Sequence, residues 1–398
     1  MRGGRTAADG HTVSRHSRYR RTLAAAALLG ALIAPTAGAS AAAPGGSAAT
    51  VSLDPPSTRS PADRDLQGRL TALRERHHAD HEFVGAVLAL QRRGGASVTA
   101  TSGTKRLGHD SGAVDPKIPW GIGSITKTFV AVVVLQLAEE GSIDLDAGIE
   151  KYLPKLRGAE RITPRELLQH TSGLGEYLDK PAVLNDAKRT WTPAELIAGA
   201  ETAGRTGKPG AGYSYSNTDY IVLGKIIEQV TGRWWATEVR QRILTPLHMR
   251  HTAMITPHSA PGYGLVGDSF VDYTDRWDPS VGGAAGGLQS TSSDLLRFIQ
   301  ALAHGRLLSH ASQEQMMTFI PAEDLSQFGV VDHEYGLGLE LYSTDRVTVY
   351  GHLGSGAAHS AFIAFDRRSG ASVVAMMNSE NPGPQALMAL EALTAATG

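Results

Sequence analysis

Strand-like runs crowd the two ends of this sequence and are scarce in its middle, so its main sheet must be assembled from segments far apart in the chain. "FVGAVLAL" (83–90) and "ASVTATSG" (96–103) are separated by "QRRGG", which suits a hairpin turn. Toward the C-terminus, "YGLGLELYS", "RVTVYGH", "HSAFIAFD" and "ASVVAMMNS" read as successive strands. A helical pattern stands outside each set: "PADRDLQGRLTALRERHHA", spaced by Leu66, Leu70 and Leu73, and "GPQALMALEALTAAT". The pattern predicts an α+β fold, with one antiparallel sheet built from 61–141 and 300–398 and flanked by helices. Residues from about 142 to 299 would form a mostly helical lobe against it.

The N-terminus is of another kind. Arg15, Arg18, Arg20 and Arg21 precede an apolar run, Leu23 to Ala34, and then "PTAGASAAAP". That order of charge, apolar core and small residues predicts a secretory signal over 1–41, cleaved after Ala39 or Ala41. The run is too short to span a bilayer comfortably. An Ala/Ser/Pro/Gly-rich flexible linker, 42–60, follows, and the globular domain occupies 61–398. Loss of 1–41 removes six arginines and one aspartate, moving the formal net charge from −1 to −6. A secreted, acidic, monomeric chain with no nucleic-acid partner and no stable membrane span is expected. Its 41% hydrophobic content supports a core of ordinary size. The sequence has no cysteine, which rules out disulfides, thiol catalysis and a Cys-ligated metal site.

The chemistry begins at "GIGSITKTF". After Ser124, "ITKTFVAVVVLQLAEEG" predicts a long apolar helix stopped at Gly141. Ser124 falls in its first turn, where unpaired N–H groups favour developing negative charge. Lys127, three positions on, projects from the same face. A lysine held in an apolar setting can lose its proton near neutral pH and accept one from serine. Ser-x-x-Lys alone is weak, because an N-cap serine beside a solvated lysine gives the same text. A second copy, Ser102 to Lys105, lacks an apolar helix and reads as a chance match. Two further elements follow. Tyr215 and Asn217 sit just before an amphipathic helix, offering a phenol as proton relay and an amide as donor and acceptor. His352-Leu353-Gly354 ends a strand, where glycine lets backbone N–H groups approach a bound carbonyl.

Together, in this order, the three elements resemble the penicillin-recognising serine hydrolases: serine D-alanyl-D-alanine carboxypeptidases, class C β-lactamases, and related esterases and D-amino-acid amidases. The likeness runs from about residue 62 to the C-terminus and includes "LLQHTSGL", "AAGGLQSTSSDLLRF" and "YGLGLE". A secreted actinobacterial carboxypeptidase is similar in kind. The resemblance implies a β-lactamase/transpeptidase-like fold and a cofactor-free acyl-enzyme formed on Ser124. It implies activation by Lys127 and Tyr215, orientation by Asn217, and His352 in the proton network around Tyr215. Ser124 and Ser355 would supply the oxyanion N–H groups, and Gly354 the close approach.

One departure concerns the substrate. Where family carboxypeptidases carry a basic residue to hold the peptide's carboxylate, this sequence has Glu340. An acidic group there would favour a positive or neutral substrate end, unless Arg346 or the Ser355 hydroxyl substitutes. His77, His78 and His81 read as a solvated helix end rather than a metal site, and His359 as either a site residue or a strand-facing polar group. "GGAAGG" (282–287) lacks the Gly-Lys-Ser/Thr ending of a phosphate loop and reads as small-residue packing. The expected function is a D-alanyl-D-alanine carboxypeptidase or related D-peptidase acting on a small-molecule or peptide substrate. An esterase or class C-like β-lactamase is the alternative, and a non-catalytic penicillin-binding or sensor protein is the alternative of another class.

Overall fold

The computed structural model describes residues 61–397 apart from 81, 109–110, 257–259 and 382; the signal segment and linker expected over 1–60 lie outside the described residues. The main sheet has eight antiparallel strands: β1 (Gly85–Gln91), β2 (Ser97–Gly103), β3 (Ile320–Pro321), β4 (Asp332–Tyr335), β5 (Glu340–Ser343), β6 (Thr348–Ser355), β7 (Ser360–Phe365) and β8 (Ser372–Met377). Their spatial order is β2–β1–β8–β7–β6–β5–β4–β3. The N-terminal hairpin thus docks on the last strand, with Ala86 opposite Met377 and Gln91 opposite Ser372.

Period-2 alternation divides the sheet between two cores. Ala86, Leu88 and Leu90 face one side together with Phe362, Val373 and Ala375, under helices α1 (Pro61–Ala79) and α5 (Pro384–Thr397). Val87, Ala89, Ile363 and Val374 face the other, against α2 (Ile125–Glu139) and α4 (Ser292–Ala303). Leu66 and Leu70 of α1 are buried as their spacing predicts. Helix α2 is buried on nearly every side because it lies between the sheet and the lobe. The small propensity penalty of its Val130 and Val132–Val134 is outweighed by about 1.5–3 kcal/mol for each such side chain withdrawn from water. Gly141 ends it, as predicted, at φ +72°.

The lobe differs from expectation in two respects. Its segment includes strand pieces at 253–254, 263–266, 269–272 and 288–290, which form two small three-stranded sheets with Trp120–Gly121 and Ser379–Glu380. Helix α4, assigned to the lobe by sequence position up to 299, packs on β1, β7 and β8 instead. Its apolar stripe (Leu295, Leu296, Phe298, Ile299, Leu302) predicts an amphipathic helix but not which surface receives it.

Candidate active site

Ser124 is the N-cap of α2 and Lys127 lies one turn on, wholly buried between sheet and lobe. Lys127 Nζ is 2.9 Å from Ser124 Oγ, 2.7 Å from Asn217 Oδ1 and 2.8 Å from the carbonyl of Ala285. Burial pulls its pKa down to about 7 against the opposing charges of Glu176, Glu340 and Asp219. Ala285 belongs to the "GGAAGG" run, a one-turn helix over Gly283–Gly286. The sequence reading gave that loop only packing, yet it supplies one of the three lysine acceptors. Lys105 of the second Ser-x-x-Lys lies against Gly112, as expected of a chance match.

Tyr215 donates its hydroxyl hydrogen to Ser124 Oγ at 2.7 Å, and burial pushes its pKa well above the ordinary phenol value. It precedes helix α3 (Asn217–Thr231). Behind the Tyr215 ring lies His170, centroid to centroid 4.3 Å, bonded through Nδ1 to Asp219 at 2.9 Å; Asp219 also accepts from Ser172 at 2.5 Å. His170 has φ +57°, so "LLQHTSGL" forms a tight turn around this buried cluster. Glu176 was missed in the sequence. It follows the same turn and accepts from Asn217 through both the backbone N–H at 2.6 Å and Nδ2 at 3.1 Å.

The backbone on the far side of Ser124 is set by two glycines. Gly123 has φ +49°, and a Cβ on it would lie 2.4 Å from the Ser355 carbonyl oxygen. A Cβ on Gly354 would lie 2.0 Å from the Ile122 carbonyl oxygen. Strand β6 and the Ile122–Ser124 segment therefore touch backbone to backbone. Gly356 N–H bonds to His359 O, so by antiparallel alternation the Ser355 N–H points away from β7. It does so beyond the end of β5, beside Gly123. The Ser124 and Ser355 N–H groups thus belong to two backbone segments in contact, an arrangement able to hold a developing oxyanion.

His352 and Glu340 depart from expectation. His352 Nε2 meets the Tyr335 hydroxyl at 3.0 Å, so its hydrogen-bond partner is Tyr335 rather than Tyr215. Its Nδ1 is 2.6 Å from the Leu353 carbonyl, and burial lowers its pKa. Glu340 lines no part of the cavity beside Ser124. It is 6% exposed and accepts from the Leu353 N–H at 2.8 Å and from the Tyr342 hydroxyl, with His352 Nδ1 3.5 Å and His333 Nε2 3.7 Å away. Burial opposes its charge, but His352, His333 and Tyr342 outweigh that and hold the carboxyl at about 2. A carboxylate so placed cannot meet a substrate end; it pins β6 from behind. Arg346 is exposed and also lines no part of the cavity.

The cavity opens beside Ser124 and holds about 130 Å³. Its wall is largely apolar, with Leu178, Ile255, Trp277 and Val281, closed by the Ser355–His359 turn. A volume of that order is about what a benzene-sized group occupies. Two acidic residues, Asp275 and Asp278, are among those lining it, the Asp278 carboxylate also accepting from the Ser280 N–H and the Thr190 hydroxyl, and no lysine or arginine among the described residues lines it. His359 is part of the wall, stacked on Trp120 with its pKa lowered to about 4 by burial. Ser355 lies against Glu380, a buried carboxyl pushed up to about 7 by desolvation against the pull of Arg276 and Ser355. At the other end of the molecule His77 pairs with Glu82, not with solvent as expected. Among the described residues no helix is long and apolar enough to cross a membrane.

Residues 70–397 match the family model described as Beta-lactamase. The Bacillus subtilis (strain 168) protein PbpX is 30% identical over 210 residues, and the match spans about half of each protein, 51%. Penicillin-binding protein 4 of Amycolatopsis lactamdurans is 29% identical over 333 residues, 78% of this chain and 84% of that one. Among solved structures, a D-stereospecific amidohydrolase from Streptomyces sp. is 33% identical with a TM-score of 0.71, covering 84% of this chain and 99% of its own. The D-amino acid amidase from Ochrobactrum anthropi SV3, complexed with D-phenylalanine, is 27% identical with a TM-score of 0.76, over 83% and 99%.

Proposed function

The chain belongs to the Beta-lactamase family and is similar to penicillin-binding proteins and D-amino-acid amidases, and on that footing we propose that it is a serine hydrolase cleaving amide bonds of small D-amino-acid amides or peptides that carry a free amine. The observation that carries the substrate class is the cavity wall: apolar, with Asp275 and Asp278 and no basic side chain among the described residues. A free C-terminal carboxylate would meet acidic residues in that wall, with Arg276 held over Tyr273 and drawn to Glu380, whereas an ammonium would be attracted there. That moves the reading from a D-alanyl-D-alanine carboxypeptidase toward an amidase, with the same covalent chemistry. We also propose that 1–41 directs export.

In this reading Lys127 is the base, because a lysine with pKa about 7 is substantially neutral at neutral pH while Tyr215 stays protonated. Ser124 Oγ passes its proton to Lys127 Nζ and attacks the carbonyl carbon, and the oxygen becomes an anion between Ser124 N–H and Ser355 N–H. The C–N bond breaks as the leaving nitrogen takes a proton relayed from Lys127 through Tyr215. Water then attacks the acyl ester, returning its proton by the same route and freeing Ser124.

The test is turnover of D- and L-phenylalanine amide, a D-Ala-D-Ala peptide and a fluorescent penicillin by the mature protein, with intact mass followed on wild type and Ser124→Ala. D-amide turnover lost in Ser124→Ala is the expected result. Preference for the D-Ala-D-Ala peptide would return the reading to a carboxypeptidase, and rapid penicillin turnover would make the chain a β-lactamase. Activity surviving in Ser124→Ala would overturn the nucleophile.

A further inference from the structure

Lys127 meets three acceptors, and their chemistry decides where a neutral amine points its lone pair. Neutral lysine has two N–H bonds and one lone pair. The Ala285 carbonyl can only accept, so it takes one N–H. If Asn217 presents its oxygen, it takes the other, and the lone pair faces Ser124 Oγ at 2.9 Å. If the amide were reversed, its NH₂ would compete for the lone pair and an N–H would turn toward Ser124 instead. The catalytic sense of the lysine therefore depends on which way the Asn217 amide lies.

That orientation is fixed from the other side. Glu176 Oε2 lies 3.1 Å from Asn217 Nδ2 and 2.6 Å from the Asn217 backbone N–H. Its Oε1 accepts from the Leu178 N–H at 3.0 Å. Burial raises the Glu176 pKa, the Leu178 and Asn217 N–H groups and Lys127 pull it back, and because both carboxyl oxygens already accept N–H donors, the amide nitrogen must face Glu176 and the amide oxygen must face Lys127. The contact to its own neighbour, Leu178, fixes the carboxylate itself. Glu176 is outside the cavity wall and does not reach Lys127 through any hydrogen bond of its own.

We propose that Glu176 is a positioning residue for acylation: its carboxylate holds the Asn217 amide in the orientation that leaves the Lys127 lone pair directed at Ser124. The inference rests on the assignment of Lys127 as base and Ser124 as nucleophile. It predicts that the requirement at 176 is an acceptor oxygen facing Asn217. Glutamine can supply that oxygen in the place of Oε2, at the cost of the Leu178 bond; alanine cannot.

The charge at 176 provides a second readout. Facing Lys127 are Asn217, Tyr220 and Asp219 from α3, Tyr215 and Glu176 from the lobe loops, Glu340 from β5, and the neutral imidazoles of His170 and His352. Glu176 is first among the charges that hold the lysine pKa up. Glu176→Gln removes that anion, so Lys127 loses its proton at lower pH and the acid limb of the rate profile moves down, by about half a pH unit or more. A residue that merely stabilised the fold would not move this limb.

The experiment is covalent labelling of Ser124 by a fluorophosphonate probe, followed by intact mass across pH on wild type, Glu176→Gln and Glu176→Ala, with Tm and near-UV circular dichroism alongside. The probe reads serine reactivity whatever the natural substrate is, so a failed D-amidase assignment leaves the result interpretable. Expected are a maximal labelling rate for Glu176→Gln within about threefold of wild type with the acid limb lowered, and a loss of about 10–100-fold for Glu176→Ala with little change in the half-saturating concentration. Wild-type rate and profile in Glu176→Ala would overturn the proposal, as would a folded Glu176→Gln that falls as far as alanine. Should Glu176→Ala not fold, an unmoved acid limb in Glu176→Gln would overturn it. An unlabelled wild type would instead refute the assignment of Ser124 on which it rests.

Discussion

Substituting Gly354 by alanine isolates the backbone contact that sets the oxyanion site. The added Cβ would sit 2.0 Å from the Ile122 carbonyl oxygen and 3.1 Å from Ile125 Cγ1. Ile122 is wholly buried and its N–H is tied to the Leu288 carbonyl, so the clash is with backbone that cannot swing aside. Relieving it to ordinary contact near 3.4 Å requires β6 and the Ile122–Ser124 segment to part by about 1.4 Å. The Ser355 N–H moves with β6, and a displacement of about 1 Å at a reacting group costs about 10²-fold. Loss of one oxyanion donor costs about 10²–10³, or 2.7–4 kcal/mol. We expect kcat on D-phenylalanine amide to fall about 10²–10³-fold with KM within a few-fold, and overpacking to cost about 1–3 kcal/mol of stability in urea. Gly356→Ala is the control, since its Cβ would meet nothing nearer than the His359 carbonyl oxygen at 3.8 Å. A folded Gly354→Ala as active as Gly356→Ala would refute the placement of Ser355 N–H beside the reacting carbonyl.

Three other outcomes follow from the same geometry. With Lys127 at about 7, kcat/KM should rise as pH increases through that value and then level off, and Lys127→Arg, which cannot deprotonate, should be inactive; a profile flat from pH 5.5 to 8.5 would contradict Lys127 as base. Glu340→Ala leaves the Leu353 N–H and the Tyr342 hydroxyl without their acceptor and should cost about 3–5 kcal/mol in urea unfolding, with Glu340→Gln costing less. Because the folded Glu340 carboxyl is held at about 2, its contribution is present above an unfolded value near 4.5 and should be lost as pH falls from there toward 2. Asp275→Asn combined with Asp278→Asn should raise KM for D-phenylalanine amide about two- to fivefold at low salt and leave an N-acetylated ester unchanged; equal effects on both substrates would remove the proposed ammonium contact.

The site residues legible in the sequence were those that local spacing brings together. Ser124 and Lys127 share a helix face, Tyr215 and Asn217 share a turn, and Gly354 follows a strand end, so each pair or position is visible in a short window. Short apolar runs such as "FVGAVLAL" and "HSAFIAFD" likewise showed the strands, and the structure pairs the terminal segments in one sheet. What could not be read was which distant side chain meets which. Glu340 aligned with a substrate-binding position but turns behind β6, because the Leu353 N–H and Tyr342 offer it hydrogen bonds there. Helix α4 looked like part of the lobe because periodicity identifies an apolar face, not its partner. Asp275 and Asp278 lie in a stretch without motif, and only the folding of residues 274–286 beside Ser124 brings them to the cavity.

The same long-range placement explains how a lysine surrounded by three carboxylates can still act as a base. Glu176, Glu340 and Asp219 all raise the Lys127 pKa, and any one of them in direct contact would hold it as an ammonium. None of them is in contact: the groups touching Nζ are a hydroxyl, an amide oxygen and a peptide carbonyl, all neutral. Each acid is occupied elsewhere, Glu176 by Asn217 and Leu178, Glu340 by Leu353 and Tyr342, Asp219 by His170 and Ser172. Desolvation therefore prevails over attraction and the pKa settles at about 7 rather than near 10. It follows that Asn217→Asp, a change of one atom, should do more harm than loss of a distant acid. It would place a carboxyl between Nζ and Glu176, adding negative charge beside the lysine, keeping it protonated and sharply lowering labelling of Ser124 at neutral pH, at a cost in stability from the lost amide bond to Glu176. A neutral-pH labelling rate in Asn217→Asp equal to wild type would show that charge at Nζ is not what governs Ser124.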